Sequence, residues 1–199
     1  MSFQKAFLLF SVLAILVIAS GCSPNEEANS APEWRTVSHK QFNFSIEYPA
    51  KWRISLHDEN GWKGIREARI VLLLPFYLRG SSSNFRILIE SRTAVNPTLQ
   101  DVVAWGDEYL DAIYLDPVTK INTGLEEIFL QEDEINGIPI LRRRYAFRKS
   151  GLMFEEVYIA RNQDMFMITM STNIERFDDF YEDFNHVVNS FRPLIENGH

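Results

Sequence analysis

Residues 125–147 read LEEIFLQEDEINGIPILRRRYAF, and the centre of this stretch predicts how the chain folds. Asn136 and Gly137 stand between two isoleucines, and an Asn-Gly pair between apolar flanks favours the type I′ turn of a tight β-hairpin. The strands of the hairpin are expected over residues 125–135 and 138–148. Because so short a turn joins only antiparallel strands, this stretch indicates an antiparallel sheet.

Further strand signals flank the hairpin on both sides. Downstream, Ser150-Gly151 turns the chain into FEEVYIAR and residues 162–164 turn it into MFMITMST, so four consecutive strands are expected to pair antiparallel. Upstream, residues 42–49 read FNFSIEYP and alternate apolar with polar side chains, which predicts a half-buried strand. Three more strands are predicted at WRISLHD, REARIVLLL and FRILIESR.

Two segments have the period of an α-helix instead. Thr98 and Asp101 resemble a capping box with a shortened acid, and they open a helix with an apolar stripe that includes Val102 and Leu110. A second apolar stripe near the C-terminus comprises Phe177, Phe180, Tyr181, Phe184, Val187, Val188 and Phe191. This order of strands and helices predicts the α+β class, with helices packed on an antiparallel sheet.

The N-terminus has the three-part plan of a secretory signal peptide, with Lys5, an apolar run over residues 6–18 and small residues before Cys22. Residues 1–21 resemble a bacterial lipoprotein signal, in which the cysteine receives a diacylglyceryl group. Ala19 departs from that pattern, which most often has leucine there. The alternative is an ordinary secreted protein with one stray thiol. Lipidation of Cys22 explains why an exported chain has a lone cysteine.

A lipid on Cys22 would hold the protein on a membrane without a membrane-crossing segment, because two or more acyl chains anchor stably. Ser23, where an aspartate commonly signals inner-membrane retention, favours an outer-membrane location facing the periplasm if the source is Gram-negative. Residues 22–33 are predicted to be a flexible tether and residues 34–194 a single domain. Residues 195–199 are expected to be a loose tail.

The acidic composition and the lack of motifs exclude several function classes. The formal net charge of −7 at pH 7 does not suit a nucleic-acid partner. The four histidines lack the short spacings of a metal site, and the serine-rich stretch RGSSSN lacks a nucleophile elbow. We therefore expect no catalytic residues, no metal and no cofactor. Glu132, Asp133 and Glu134 are interpreted as a solvated strand end, with weak surface calcium binding as the alternative.

Residues 42–54, FNFSIEYPAKWRI, resemble the start of the PsbP-like superfamily, with Tyr48-Pro49 closing an aromatic strand and Trp52 following it. The resemblance continues through TLQDVVAWGDEYL, NGIPILRRRYAF and FDDFYEDFNHVVNSFRP, and covers roughly residues 36–193. It implies an α/β/α sandwich around an antiparallel sheet of about six strands. The superfamily includes the photosystem II subunit PsbP, a nuclear Ran-binding protein and the DcrB-like envelope lipoproteins, which are mainly binding or assembly proteins.

Two groups of residues are candidates for contact with a partner. Arg142 and Arg144 share one face of a predicted strand, where they either pair with Glu155 and Glu156 across the sheet or bind an anion or partner.

The second group is Phe76, Tyr77 and Leu78, which follow Pro75 where a strand should end. Turns are seldom so apolar. These three side chains are therefore either core residues or an exposed contact with lipid or protein.

The leading hypothesis is a lipid-anchored, non-enzymatic envelope protein that binds or helps to assemble another, unidentified envelope protein. One alternative is a small-ligand carrier with a pocket between sheet and helix. Another is a photosystem II accessory lipoprotein, if the source is photosynthetic. A hydrolase with a scattered site would be favoured only by a cleft that joins a histidine to Asp, Glu or Ser within hydrogen-bond reach.

Overall fold

The computed structural model describes residues 33–40, 42–60, 66–74, 85–114 and 124–194. The strands within these residues are β1 (Trp34–His39), β2 (Phe44–Pro49), β3 (Arg53–Asn60), β4 (Arg66–Leu73), β5 (Arg86–Thr93), β6 (Leu125–Ile135), β7 (Ile138–Phe147), β8 (Leu152–Arg161), β9 (Asp164–Asn173) and β10 (Arg192–Pro193). The helices are α1 (Leu99–Tyr114) and α2 (Phe177–Asn189), the second preceded by a 3₁₀ turn (Ile174–Arg176).

The predicted hairpin is present at β6 and β7. Asn136 and Gly137 both have positive φ, at 52° and 78°, which is the backbone signature of a type I′ turn. Ile135 and Ile138 face each other across it. The next turns lead into β8 and β9, and each successive pair from β6 to β9 is antiparallel, as predicted.

The large sheet has seven strands in the order β3-β4-β5-β9-β8-β7-β6, all antiparallel to their neighbours. The predicted α+β class is confirmed, and the sheet is larger than the six strands expected. A second, three-stranded sheet has the order β1-β2-β10. The small sheet was not predicted, because β1 buries little and β10 has only two residues.

The helices and the small sheet pack on the two faces of the large sheet through shared apolar cores. Phe184 of α2 and Ile46 of β2 share one core with Ile168 of the large sheet, so α2 and the small sheet cover the same face. On the other face, Val102 of α1 packs with Tyr158 of β8. The result is the α/β/α arrangement that the resemblance implies, with the small sheet beside α2.

The predicted capping box begins α1. The backbone N–H and the hydroxyl of Thr98 donate to Oδ2 of Asp101 at 2.7 and 2.6 Å, and the N–H of Asp101 donates back to Thr98 Oγ1 at 3.3 Å. The hydrogen bonds from Thr98 lower the pKa of the Asp101 carboxyl. This arrangement satisfies N–H groups that a helix start otherwise leaves open.

Several predictions lie outside the described residues. These are the signal and tether with Cys22, the C-terminal tail, and the apolar group Phe76, Tyr77 and Leu78. Neither described helix is both long enough and apolar enough to cross a membrane.

Candidate functional site

A groove of about 310 Å³ opens between the outer face of the small sheet and the C-terminal end of α2. The alternation of β2 creates its floor. Phe44 and Ile46 are buried, so Ser45 and Glu47 project from the other side of the strand. Thr36 of β1, opposite Glu47 in register, extends the floor.

His186 of α2 and Glu47 of β2 form the polar centre of the groove. Nε2 of His186 lies 2.8 Å from Oε2 of Glu47, and the side chains are 38% and 44% exposed. Trp34 of β1 stacks on the imidazole, with ring centroids 3.5 Å apart and an interplanar angle of 16°. The ring of His186 is thus oriented by a hydrogen bond and by an aromatic wall, while part of it still faces solvent.

Ser190, one turn after His186, has a structural role in this groove. Its hydroxyl donates to the carbonyl of Val187 at 2.7 Å and accepts from the backbone N–H of Glu47 at 2.8 Å. A nucleophilic serine would instead donate its proton to a histidine. The groove therefore joins a histidine to a carboxylate, but the hydroxyl of the serine beside them donates its hydrogen bond to a backbone carbonyl.

Arg192 of β10 gives the groove a cation at its other end. Its Nη1 group donates to the carbonyls of Asn189 and Phe191, at 2.6 and 2.9 Å, near the negative end of the α2 dipole. A guanidinium has five N–H donors, so Nε and Nη2 can still donate to a ligand. With Glu47, His186 and Arg192, the groove can bind a polar group of either charge.

The candidates Arg142 and Arg144 lie under α2, on the face of the large sheet opposite α1. Glu155, which is fully buried, accepts from Nη1 of Arg142 at 3.1 Å and from Nε and Nη2 of Arg144 at 2.8 and 2.6 Å. Arg142 also reaches Asp133 and Asn185, at 2.9 and 2.8 Å. These are ion pairs of the cross-strand kind that the sequence suggests as one interpretation.

Arg144 is further enclosed by aromatic rings. Its guanidinium carbon lies 5.0, 4.6 and 4.7 Å from the ring centroids of Phe129, Phe177 and Tyr181. The Arg144 side chain is 21% exposed and that of Arg142 is 7% exposed. Both guanidinium groups are engaged within the domain, and contact of either with a partner stays a prediction.

Glu156 points to the opposite face from Glu155, because neighbours on a strand alternate. Its carboxylate accepts from the hydroxyl of Tyr145 at 2.7 Å and from that of Tyr158. Burial raises the pKa of the Glu156 carboxyl, and burial together with Glu156 raises the pKa of both tyrosines. The sequence grouped Glu156 with Glu155 as a partner of the arginines, whereas its hydrogen bonds go to the tyrosines.

Metal-ligating side chains do not gather in the part of the chain that the structure describes: no three of His, Cys, Asp or Glu come close enough to hold an ion. At the acidic strand end considered for calcium, Asp133 pairs with Arg142.

No protein-family model and no curated protein matches the chain. Among solved structures, the solution structure of cyanobacterial PsbP (CyanoP) from Synechocystis sp. PCC 6803 is similar, with a TM-score of 0.55 and 15% identity. The match covers 88% of this chain and 99% of that one. The fold is PsbP-like. At 15% identity the likeness concerns fold, so function has to be argued from the residues of this chain.

Two further structures are similar at lower TM-scores. Protein PA94 of unknown function from Pseudomonas aeruginosa has a TM-score of 0.41 and 13% identity, over 83% of this chain and 99% of that one. A crystal structure from Bacteroides thetaiotaomicron has a TM-score of 0.46 and 8% identity, over 82% of this chain and 49% of that one.

Glu47 and His186 of the groove, and Trp34, which stacks on His186, were not among the site residues predicted from the sequence. The alternation of FNFSIEYP does place Glu47 on the outer face of its strand. Nothing local connects it with His186, which is 139 positions away. Only a prediction that α2 ends beside β2 could have joined them.

Proposed function

We propose that this chain is a lipid-anchored, non-enzymatic envelope protein whose groove binds a segment of another envelope protein. The observation that carries the proposal is the centre of the groove. Glu47 and His186 orient each other at 2.8 Å and yet remain 44% and 38% exposed, so they are ready to contact a second molecule. Preorganised side chains lose less conformational entropy on binding than mobile ones.

Binding is favoured over hydrolysis by the hydrogen bonds of Ser190. The Ser190 hydroxyl donates to the carbonyl of Val187, so His186 does not activate this serine as a nucleophile. The imidazole in turn is directed at Glu47 and stacked on Trp34. The contact with Glu47 uses Nε2 of His186 and leaves Nδ1, but the hydroxyl of Ser190 donates to Val187 and does not serve His186 as a nucleophile.

The anchor would bring this groove close to the membrane. Trp34 follows Cys22 by twelve residues. A flexible tether of that length has a root-mean-square span of about 20 Å. With Cys22 lipidated, Trp34 and the groove beside it would stay within a few nanometres of the bilayer, where a partner in the same membrane is within reach.

Two alternatives can be ranked on particular observations. A small-ligand carrier usually encloses its ligand in a mainly apolar cavity. This groove is open and presents Glu47, His186 and Arg192, which favours a polar segment of a protein. An accessory photosystem II lipoprotein is the second candidate if the source is photosynthetic, and the likeness to cyanobacterial PsbP, which concerns the fold, does not separate it from the DcrB-like group.

The remaining partner candidates can be tested by stability. Replacing Phe76 and Leu78 with serine is expected to leave thermal stability nearly unchanged if they form an exposed contact. If Phe76 and Leu78 are core residues, truncating these large buried side chains should instead cost about 2–5 kcal/mol each. A large loss of stability would remove this pair from the partner-binding surface.

Site-specific photo-cross-linking in intact cells tests the groove. A photoreactive residue at Thr36, an exposed position in the groove, is expected to give a discrete adduct with one envelope protein. The control position is Gln163, which is also exposed but lies in the turn between β8 and β9. Glu47→Gln and His186→Gln should abolish the Thr36 adduct. Equal adducts from Thr36 and Gln163, or an adduct that survives both substitutions, would contradict the proposal.

A further inference from the structure

Strand β6 is an edge of the large sheet, next to β7 alone among the described strands. Eight of its eleven residues are exposed. An edge strand presents a row of backbone N–H and C=O groups to which another strand can add. At about 3.4 Å per residue, a strand of this length offers an edge of roughly 37 Å.

Natural sheet edges are often protected by charged side chains and β-bulges, and β6 has five acidic residues and one bulge. These features disfavour pairing with a second copy, but they leave apolar surface on the strand. Ile128 and Leu130 are 43% and 45% exposed. They account for two of the four large hydrophobic side chains that are exposed in the described residues. The ladder with β7 shifts register between Glu127 and Phe129, which leaves Ile128 in a bulge.

After the bulge the strand is regular and has a defined face. Leu130, Glu132 and Glu134 lie on it together, opposite Arg143, Leu141 and Pro139 of β7. A strand added to this edge would place its own side chains directly across from these three. Along β6, this face therefore presents one apolar residue, Leu130, followed by two acidic residues, Glu132 and Glu134.

The charges select the occupant. Ion pairs engage Glu126, Glu127 and Asp133, whereas Glu132 and Glu134 make no ion pair within the described part of the chain. A second copy of β6 would bring two acidic strands together, and like charges across a ladder are destabilising. A basic strand would offset these carboxylates, so the edge fits a basic segment better than a second copy.

We propose that the β6 edge binds an extended segment of a partner protein that has the pattern basic–x–basic–x–apolar and adds antiparallel to β6. The two basic side chains would then face Glu134 and Glu132, and the apolar one would face Leu130. The antiparallel direction is chosen because such ladders are slightly more stable per residue. This surface is independent of the groove and does not rest on the proposed function.

The probe is a dye-labelled peptide Thr-Lys-Thr-Lys-Thr-Val-Thr, titrated with the purified full chain and followed by fluorescence anisotropy. Saturable binding that weakens with added salt is expected, because ion pairs at an exposed edge are screened. The control peptide has glutamate in place of both lysines and should not bind. No saturable binding of the lysine peptide, or equal binding of the glutamate peptide, would overturn the proposal.

Variants locate the site. Glu132→Lys with Glu134→Lys should weaken peptide binding at least about tenfold, which corresponds to about 1.4 kcal/mol. Glu108→Lys with Asp111→Lys makes the same charge change at exposed positions of α1 and should change binding little. If the lysine double variant does not fold, Glu132→Gln with Glu134→Gln replaces it and should still weaken binding severalfold. Equal loss in the α1 variant would mean that net charge alone attracts the peptide, and the proposal would fail.

Discussion

Nε2 of His186 lies 2.8 Å from Oε2 of Glu47, so the last turns of α2 are joined to β2 by residues 139 positions apart. Trp34 covers the imidazole from the third element, β1. Three separate parts of the chain therefore meet in one groove. Because the side chains of His186 and Glu47 are well exposed, their contact is expected to matter more for binding than for stability.

The first prediction concerns the Trp34–His186 stack. Trp34→Ala and His186→Ala should each destabilise modestly, and the pair should show a coupling energy of about 0.5–1.5 kcal/mol, the usual range for stacked rings. Urea unfolding of the wild type, both single variants and the double variant measures this coupling. Strictly additive costs would mean that the stack does not orient His186.

The second prediction concerns the buried carboxylate under α2. Glu155→Gln leaves the Arg142 and Arg144 guanidinium groups without their shared counter-charge. Removing one partner of a buried ion pair costs about 3–5 kcal/mol, so the loss should be easily seen in urea unfolding.

The matched control is Glu126→Gln, which breaks the pair with Arg148 on the surface, where the side chains are 51% and 57% exposed. It should change the free energy of unfolding little, because exposed ion pairs are screened by water and salt. Similar effects at Glu126 and Glu155 would refute the buried-pair account.

The third prediction is a pH dependence from Glu156. Burial raises the pKa of its carboxyl above the ordinary value of 4.5, so the folded protein holds this proton more tightly than the unfolded chain. The contribution to stability is therefore full below pH 4.5 and is lost as the pH rises through the raised pKa. Replacing Glu156 with glutamine removes the titration and keeps a donor and an acceptor for Tyr145 and Tyr158.

Urea unfolding at several pH values from mildly acidic to mildly alkaline compares Glu156→Gln with the wild type. The wild type should lose stability relative to the variant as the pH rises. Parallel pH profiles would show that Glu156 is already ionised in the folded protein at the lowest pH tested.

The fourth prediction weighs helix propensity against packing at Gly106. A Cβ at this position would lie 2.9 Å from Cε1 and 3.0 Å from the hydroxyl oxygen of Tyr158, which is fully buried and hydrogen-bonded to Glu156. Gly106→Ala gains about 1 kcal/mol of helix propensity, whereas overpacking costs about 1–3 kcal/mol. Net destabilisation is expected in thermal melts.

Ala104→Gly serves as the comparison for Gly106→Ala, because Ala104 is an exposed residue of the same helix. This change should show the propensity effect alone, a loss of about 1 kcal/mol. A stabilised Gly106→Ala variant would indicate that Tyr158 can move aside.

Local sequence signals were enough to predict the elements whose conformation depends only on residues close to each other in the chain. The Asn136-Gly137 turn requires positive φ at both residues, and few sequences meet that need. The Thr98–Asp101 capping box and the apolar stripe of α2 likewise depend only on near neighbours. These predictions agree with the structure to within a residue or two at the element ends.

Long-range partnerships could not be predicted in this way. Strand β1 shows no clear alternation, since its partner β2 supplies most of the buried surface. The groove depends on where α2 ends relative to β2, and no local pattern encodes that distance. Strand alternation alone could have predicted that Glu155 and Glu156 point to opposite faces of the sheet. Which groups cover each face depends on where α1 and α2 pack, and the sequence does not show that.

If a lipid anchor presents the groove to a membrane partner, the Thr36 photo-adduct should depend on the lipid. The adduct is compared in two exported forms: the wild type, and a Cys22→Ser variant in which an ordinary cleavable signal replaces residues 1–21. Fractionation and the mass of the N-terminal peptide first establish that only the wild type carries lipid and sediments with membranes. We expect the adduct in the wild type and its strong reduction in the soluble variant at equal protein level. An adduct of equal yield in both forms, or a free thiol on the wild-type cysteine, would contradict the account.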